Sequence, residues 1–301
     1  MPHPKLPLLL LLLATTAASQ AAAQATAQAP SLKGRVLDAT THLPVPYASL
    51  SLRNEADWTL ANAKGHFELA APKKSVIDTL LVECPGYLPH PVVVRNRALA
   101  DSTLTLAKAV ATLKTQPPNP APANIRRLGS LAKRPGEGMI QGLMGSQFAL
   151  LIEPSPKYRP GSVQNVSFYI GENGFPKEAF RIRLYRADGP NHSPGTNLLT
   201  ENLIVAAPGG GKWFTVDVSK YLVEVPRDGF FVAMEWIKGP EPSALQQGYD
   251  PPGQVLRPTF EFKDSRTWSF TIGKGWQLLT LKTPESKVYN AMISTEIEEY
   301  K

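Results

Sequence analysis

The sequence predicts an all-β protein: two β-sandwich domains, the second jelly-roll-like, joined by a proline-rich linker. Three observations predict it. Short runs rich in β-branched and aromatic residues recur between turn residues along most of the chain. Proline is abundant, 29 residues against 22 glycines, and proline sits poorly inside helices and central strands. No segment carries a long apolar period of 3.6 residues. With 301 residues and 43% hydrophobic composition, the chain can fill two ordinary packed cores.

The first 27 residues read as a secretory signal peptide. Lys5 is the positive start, residues 6–13 are apolar apart from Pro7, and small residues follow at 21–23 and 25–27. The apolar run is far shorter than the ~20 residues that span a bilayer. No transmembrane segment is expected after the leader is removed, and the place of work is the periplasm, the outer-membrane surface or the exterior. Cys84 is the one cysteine. It closes no intrachain disulfide, and its strand-like surroundings make it a small buried hydrophobe. The formal charge of +7 comes from scattered residues rather than a basic stripe. Nucleic acid is therefore not an expected partner.

The first domain is expected over residues 31–108, with strands near 32–37, 48–52, 66–70, 79–84, 91–94 and 102–106. Ala48-Ser49-Leu50-Ser51-Leu52 alternates as a strand with one buried face must. Lys64-Gly65 reads as a hairpin turn. Val36, Leu50, Phe67 and Leu69 are its inward positions. Residues 109–146 are linker: a proline-rich break at 116–122, then a short helix suggested by Ile125, Leu128 and Leu131 at helical spacing. The second domain is expected over 147–301. Its strands fall near 148–152, 163–170, 180–186, 202–206, 213–218, 230–237, 258–262, 267–272 and 291–297. Its predicted core contains Phe168, Ile170, Ile182, Leu184, Phe214, Val216, Phe231 and Ala233. Arg181 and Arg183 should lie on the side away from Ile182 and Leu184. Phe230, Val232 and Met234 are apolar too, so that strand should be central and covered on both faces.

Several first-domain segments follow a familiar order. They are Gly34-Arg35-Val36-Leu37-Asp38, Thr40 with residues 44–48, Ala63-Lys64-Gly65-His66-Phe67-Glu68-Leu69, and Pro85-Gly86-Tyr87. On these residues the domain resembles the carboxypeptidase regulatory-like domain family, which implies a transthyretin-like, carbohydrate-binding-like sandwich. Thr41 stands where that family usually has glycine, and Asn62 where it has aspartate. Those departures weaken the case for an acidic metal-like corner, not the case for the fold. The module accompanies zinc carboxypeptidases without holding their active site, and it occurs in exported proteins of the Bacteroidetes type. Residues 211–218 and 229–236 are similar to a region that follows the module in such proteins. That similarity implies no activity.

Catalytic constellations are not legible. A zinc peptidase needs clustered histidine and carboxylate ligands. His66 and Glu68 share a strand face, but no third ligand is near them in sequence. No G-x-S-x-G elbow occurs. Asp217, Asp228, Glu235 and Glu261 read as outward strand positions. Trp213 and Trp236 read as core rings. Trp268 and Trp276 flank the Gly273–Gly275 turn and are the candidate ligand-contact residues. The expectation is a non-catalytic binding or scaffolding protein of the cell envelope, without cofactor or metal, whose partner is an envelope protein or a glycan. The alternatives are a carbohydrate-binding protein that uses the second sandwich, and a hydrolase whose carboxylates meet only in the fold.

Overall fold

The structure, a computed structural model, describes residues 30–109, 124–154, 157, 159–238 and 253–300. The predicted signal peptide and the proline-rich break at 116–122 lie outside the described residues. Within them the chain is all-β, with two short 3-10 turns and no α-helix.

The N-terminal strands are β1 (Ser31–Asp38), β2 (Ser49–Leu52), β3 (Trp58–Leu60) and β4 (His66–Ala70). They continue with β5 (Ile77–Glu83), β6 (His90–Arg95), β7 (Ala98–Leu99) and β8 (Thr103–Leu106). A three-stranded sheet, β4-β1-β8, faces a five-stranded one, β3-β2-β5-β6-β7. Val36, Leu50, Phe67 and Leu69 bury in the core between them, as alternation requires. Gly65 turns the hairpin at φ +77°, where glycine is unstrained. Asn62 supports that turn by accepting the backbone N–H groups of Lys64 and His66.

The C-terminal part begins with β9 (Asn124–Gly129), β10 (Ile140–Gln141), β11 (Gln147–Ile152), β12 (Gly161–Gly174) and β13 (Ala179–Arg186). Next come β14 (Ile204–Ala206), β15 (Lys212–Asp217), β16 (Phe230–Trp236), β17 (Gln254–Leu256) and β18 (Pro258–Thr259). The last four are β19 (Thr267–Thr271), β20 (Gly275–Leu278), β21 (Asn290–Ala291) and β22 (Ile293–Glu299). One sheet runs β10-β17-β12-β22-β9, with β15 also on β12; the other runs β14-β13-β16-β11-β19-β20. Phe168, Ile170, Ile182, Leu184, Val232, Met234 and Trp236 fill the core between them.

The expected helix near Ile125–Leu131 is a strand instead. Residues 124–129 pair antiparallel with β22, from Gly129 opposite Ser294 to Asn124 opposite Glu299. The helical spacing misleads because its apolar residues share no buried face. Ile125 and Leu131 are more than half exposed, while Leu128 alone packs on the core. An ion pair between Arg126 and Glu299 at 2.7 Å fastens the edge. The C-terminal sheet thus begins before residue 147.

Two core assignments also change. Phe231 and Ala233 are fully buried, but on the outer side of the β16 sheet; Phe230, Val232, Met234 and Trp236 face the main core. The strand is central and covered on both faces. Phe214 and Val216 face the core but stay half-buried, because β15 lies at the margin of its sheet.

Candidate functional site

Period two places Arg181, Arg183 and Tyr185 on the outer face of the β16 sheet, opposite Glu235, Ala233 and Phe231 respectively. The arginines lie away from Ile182 and Leu184, as expected, yet Arg181 is only 1% exposed. The N-terminal sandwich covers it. Its guanidinium donates to Glu235 Oε1 at 2.5 Å, to Asn202 Oδ1 at 2.7 Å and to the Tyr47 carbonyl at 2.6 Å. Arg183 adds a bond of 3.2 Å to Glu235 Oε2. Glu235, expected at an exposed outward position, is therefore buried and doubly paired.

The seam around this cluster is close. Asn202 donates to the Pro46 carbonyl. Tyr47 holds a left-handed φ of 56°, a strained choice for a bulky residue that the Arg181 bond to its carbonyl helps to fix. Tyr47, Leu60 and Ile237 pack together, with Trp58 and Met144 against them. A Cβ on Gly86 would meet the Thr200 carbonyl at 2.5 Å, and one on Gly145 would meet the Trp58 ring at 2.7 Å. Cys84 lies within electrostatic reach of the cluster. Burial pushes its thiol up to about 11, with Arg181 opposing in part.

Farther along the same face the surface turns aromatic. Ala149 and Ala233 are neighbours across β11 and β16. Larger rings close over these small residues. Trp268 meets Phe231 edge-on at 6.4 Å, and Trp276 meets Tyr185 edge-on at 5.6 Å and Phe270 at 5.2 Å. Tyr185 donates to Gln147 Oε1 at 2.7 Å, and burial raises its hydroxyl to about 12. Trp268 and Trp276 therefore come together in one layer, half-buried. Both lie on strands beside the β19–β20 turn.

The outer face of the β12 sheet carries a second aromatic group. Trp236 is a core ring as expected, fully buried, with its indole N–H on the Gln254 carbonyl. Trp213 is not. It pairs with Tyr169 on the side away from Phe168 and Phe214 and is half-buried. Its ring meets Tyr169 edge-on at 5.6 Å, and the Arg127 guanidinium lies 5.0 Å above it. Period two predicted this outward position once Phe214 and Val216 were set inward; ring size argued the other way.

The remaining candidates have ordinary partners. Glu68 binds Lys33 at 2.9 Å and the Ser31 hydroxyl, leaving His66 exposed beside it. Asp217 caps the turn at Ser219, and Glu261 accepts from Ser130, Thr259 and the Leu131 N–H. Among the described residues, no group of three or more His, Cys, Asp or Glu is placed to share a metal. Asp38 is held at about 2 by the N–H groups of Thr41 and Thr40, and it also accepts the Tyr87 hydroxyl. A cleft of about 580 Å³ opens between the β2–β3 loop and the β19–β20 turn, lined by Asn54, Glu55, Asp57, Trp58, Lys73 and Ile272 among others. The Glu55 carboxylate there is taken by the N–H groups of Lys73 and Lys74.

No family model and no curated protein matches the chain. Among solved structures, the clostridial cysteine protease Cwp84, in a form recorded after propeptide cleavage, is similar at 10% identity and a TM-score of 0.39. The alignment covers 76% of this chain and 52% of that one, so this chain spans about half of it. A likeness of that size says nothing of activity.

Proposed function

We propose that the chain is a non-catalytic binding or scaffolding protein of the cell envelope, exported by the leader in its first 27 residues and carrying a carboxypeptidase regulatory-like domain. One observation carries it. A buried pair of charged side chains, Arg181 and Glu235, with the partly exposed Arg183 beside it, is spent on joining the two sandwiches through the Tyr47 carbonyl. Groups of that kind hold a surface in shape; they do not reach a substrate. The sheet faces outside the core also carry the half-buried rings of Trp213, Trp268 and Trp276, which suit binding.

The test is a broad hydrolase screen of the purified chain. No turnover is expected. Reproducible turnover abolished by Asp217→Asn or Glu261→Gln would remove the proposal and favour a hydrolase with fold-assembled carboxylates.

A second reading, carbohydrate binding, is favoured by the half-exposed rings of Trp268 and Trp276 on one face. Affinity gels with Trp268→Ala and Trp276→Ala test it, because a stacking site there loses most of its retention.

A further inference from the structure

We propose that the outer face of the β12 sheet is a binding site for a neutral polysaccharide, with Trp213 as its stacking ring. It rests on the binding-protein reading above and moves the glycan from Trp268 and Trp276 to the opposite sheet.

The register builds the site in three rows. Trp213 lies opposite Tyr169, Thr215 opposite Ser167, and Asp217 opposite Asn165. On the other side of β12, Ser167 meets Ser294 and Asn165 meets Glu296. Beyond β22, Glu296 meets Arg127. The middle row is thus all small hydroxyls, Thr215 exposed and Ser167 and Ser294 buried beneath their neighbours, with tall side chains at both ends. Residues two apart on a strand are ~7 Å apart, so the recess between the outer rows runs for ~13 Å, the length of a short oligosaccharide.

Each part has a task that sugar chemistry supplies. An indole on a solvent-facing strand position leaves apolar surface uncovered, where alternation favours polar residues. The C–H face of a pyranose covers such a ring. Asn165 Nδ2 donates to Glu296 Oε2 at 2.6 Å, and an amide beside a carboxylate offers both donor and acceptor to vicinal hydroxyls. Ser167 and Thr215 share a bond of 2.8 Å at the floor.

Arg127 holds the ligand's place in the free protein. It is exposed on an edge strand, bonded to Ser294 Oγ at 3.1 Å and lying over Trp213. A single hydroxyl and one ring contact hold it, so an incoming sugar displaces it onto its own hydroxyls. Two cations, Arg127 and Arg257, the latter beside Tyr169 and bonded to the Gly136 carbonyl, stand against Asp217 and Glu296, so the face carries no net charge. That balance disfavours an anionic polymer and fits a neutral one.

Affinity electrophoresis and tryptophan fluorescence of the full chain with β-glucan, xylan and mannan test the proposal, with alginate and pectate as anionic controls. The wild type should be retarded by at least one neutral polymer. Trp213→Ala should weaken that binding at least ~10-fold. Thr215→Arg fills the recess from an exposed position without touching the core, and should do the same if Trp213→Ala folds poorly. The Trp268→Ala/Trp276→Ala double variant should keep its affinity within ~3-fold. Retention by none of the neutral polymers, unchanged binding by Thr215→Arg, or retention on the anionic controls alone overturns the proposal. Loss only in the Trp268/Trp276 double variant overturns it too, while leaving the broader binding function standing.

Discussion

Glu235→Ala removes the carboxylate that two guanidinium groups share. The Arg181 side chain is 2% exposed and that of Arg183 17%, so neither gains full hydration when its partner goes. Breaking a buried ion pair from one side typically costs ~3–5 kcal/mol. The lower end applies here, because Arg181 keeps Asn202 and the Tyr47 carbonyl and Arg183 retains an outlet to water. With a urea m-value of ~2–3 kcal/mol/M, a loss of ~3 kcal/mol lowers the midpoint by ~1–1.5 M. Tryptophan fluorescence during urea titration reads it, since Trp236 sits in the adjoining core. Arg181→Met combined with Glu235→Leu should lie nearer the wild type than Glu235→Ala alone, because no charge is then left stranded. A midpoint for Glu235→Ala within ~0.3 M of the wild type would refute the assignment of this cluster as the electrostatic tie.

Phe231→Ala should cost ~3–5 kcal/mol in the same titration, the range for a fully buried ring; a loss under ~1 kcal/mol would show that the outer aromatic layer is loose. The Cys84 thiol, raised to about 11 by burial, should react with a disulfide reagent at pH 8 only as fast as the protein opens. Rapid labelling of the native chain would contradict that placement. Asp38 titrates near 2 in the fold and near 4 when unfolded. Its stabilisation is therefore complete above ~4 and lost as pH falls towards 2. Asp38→Asn should flatten that part of the N-terminal sandwich's stability curve, and an unchanged acid limb would contradict the turn geometry.

Much of the fold was legible because alternation is local. Ser167 and Tyr169 separate from Val166, Phe168 and Ile170 by period two alone, and the structure keeps that division. The edge strand at 124–129 was not legible, because its partner β22 lies far along the chain. Three apolar residues at helical spacing outweighed a pairing that no local window contains. Glu235 and Arg181 were legible as outward positions but not as buried ones. What buries them is the Pro46–Tyr47 turn of the other sandwich, and only tertiary structure supplies it. Trp213 failed differently. Its outward direction followed from Phe214, yet the area a tryptophan buries pulled the expectation towards the core.

The central claim is binding without turnover. The most direct test incubates the full chain with a neutral polysaccharide that retards it, then assays the mixture for newly released reducing ends. Retention with no release above a protein-free control is the predicted result. Retention accompanied by a steady release of reducing ends, abolished by Asp217→Asn or Glu296→Gln, would contradict it.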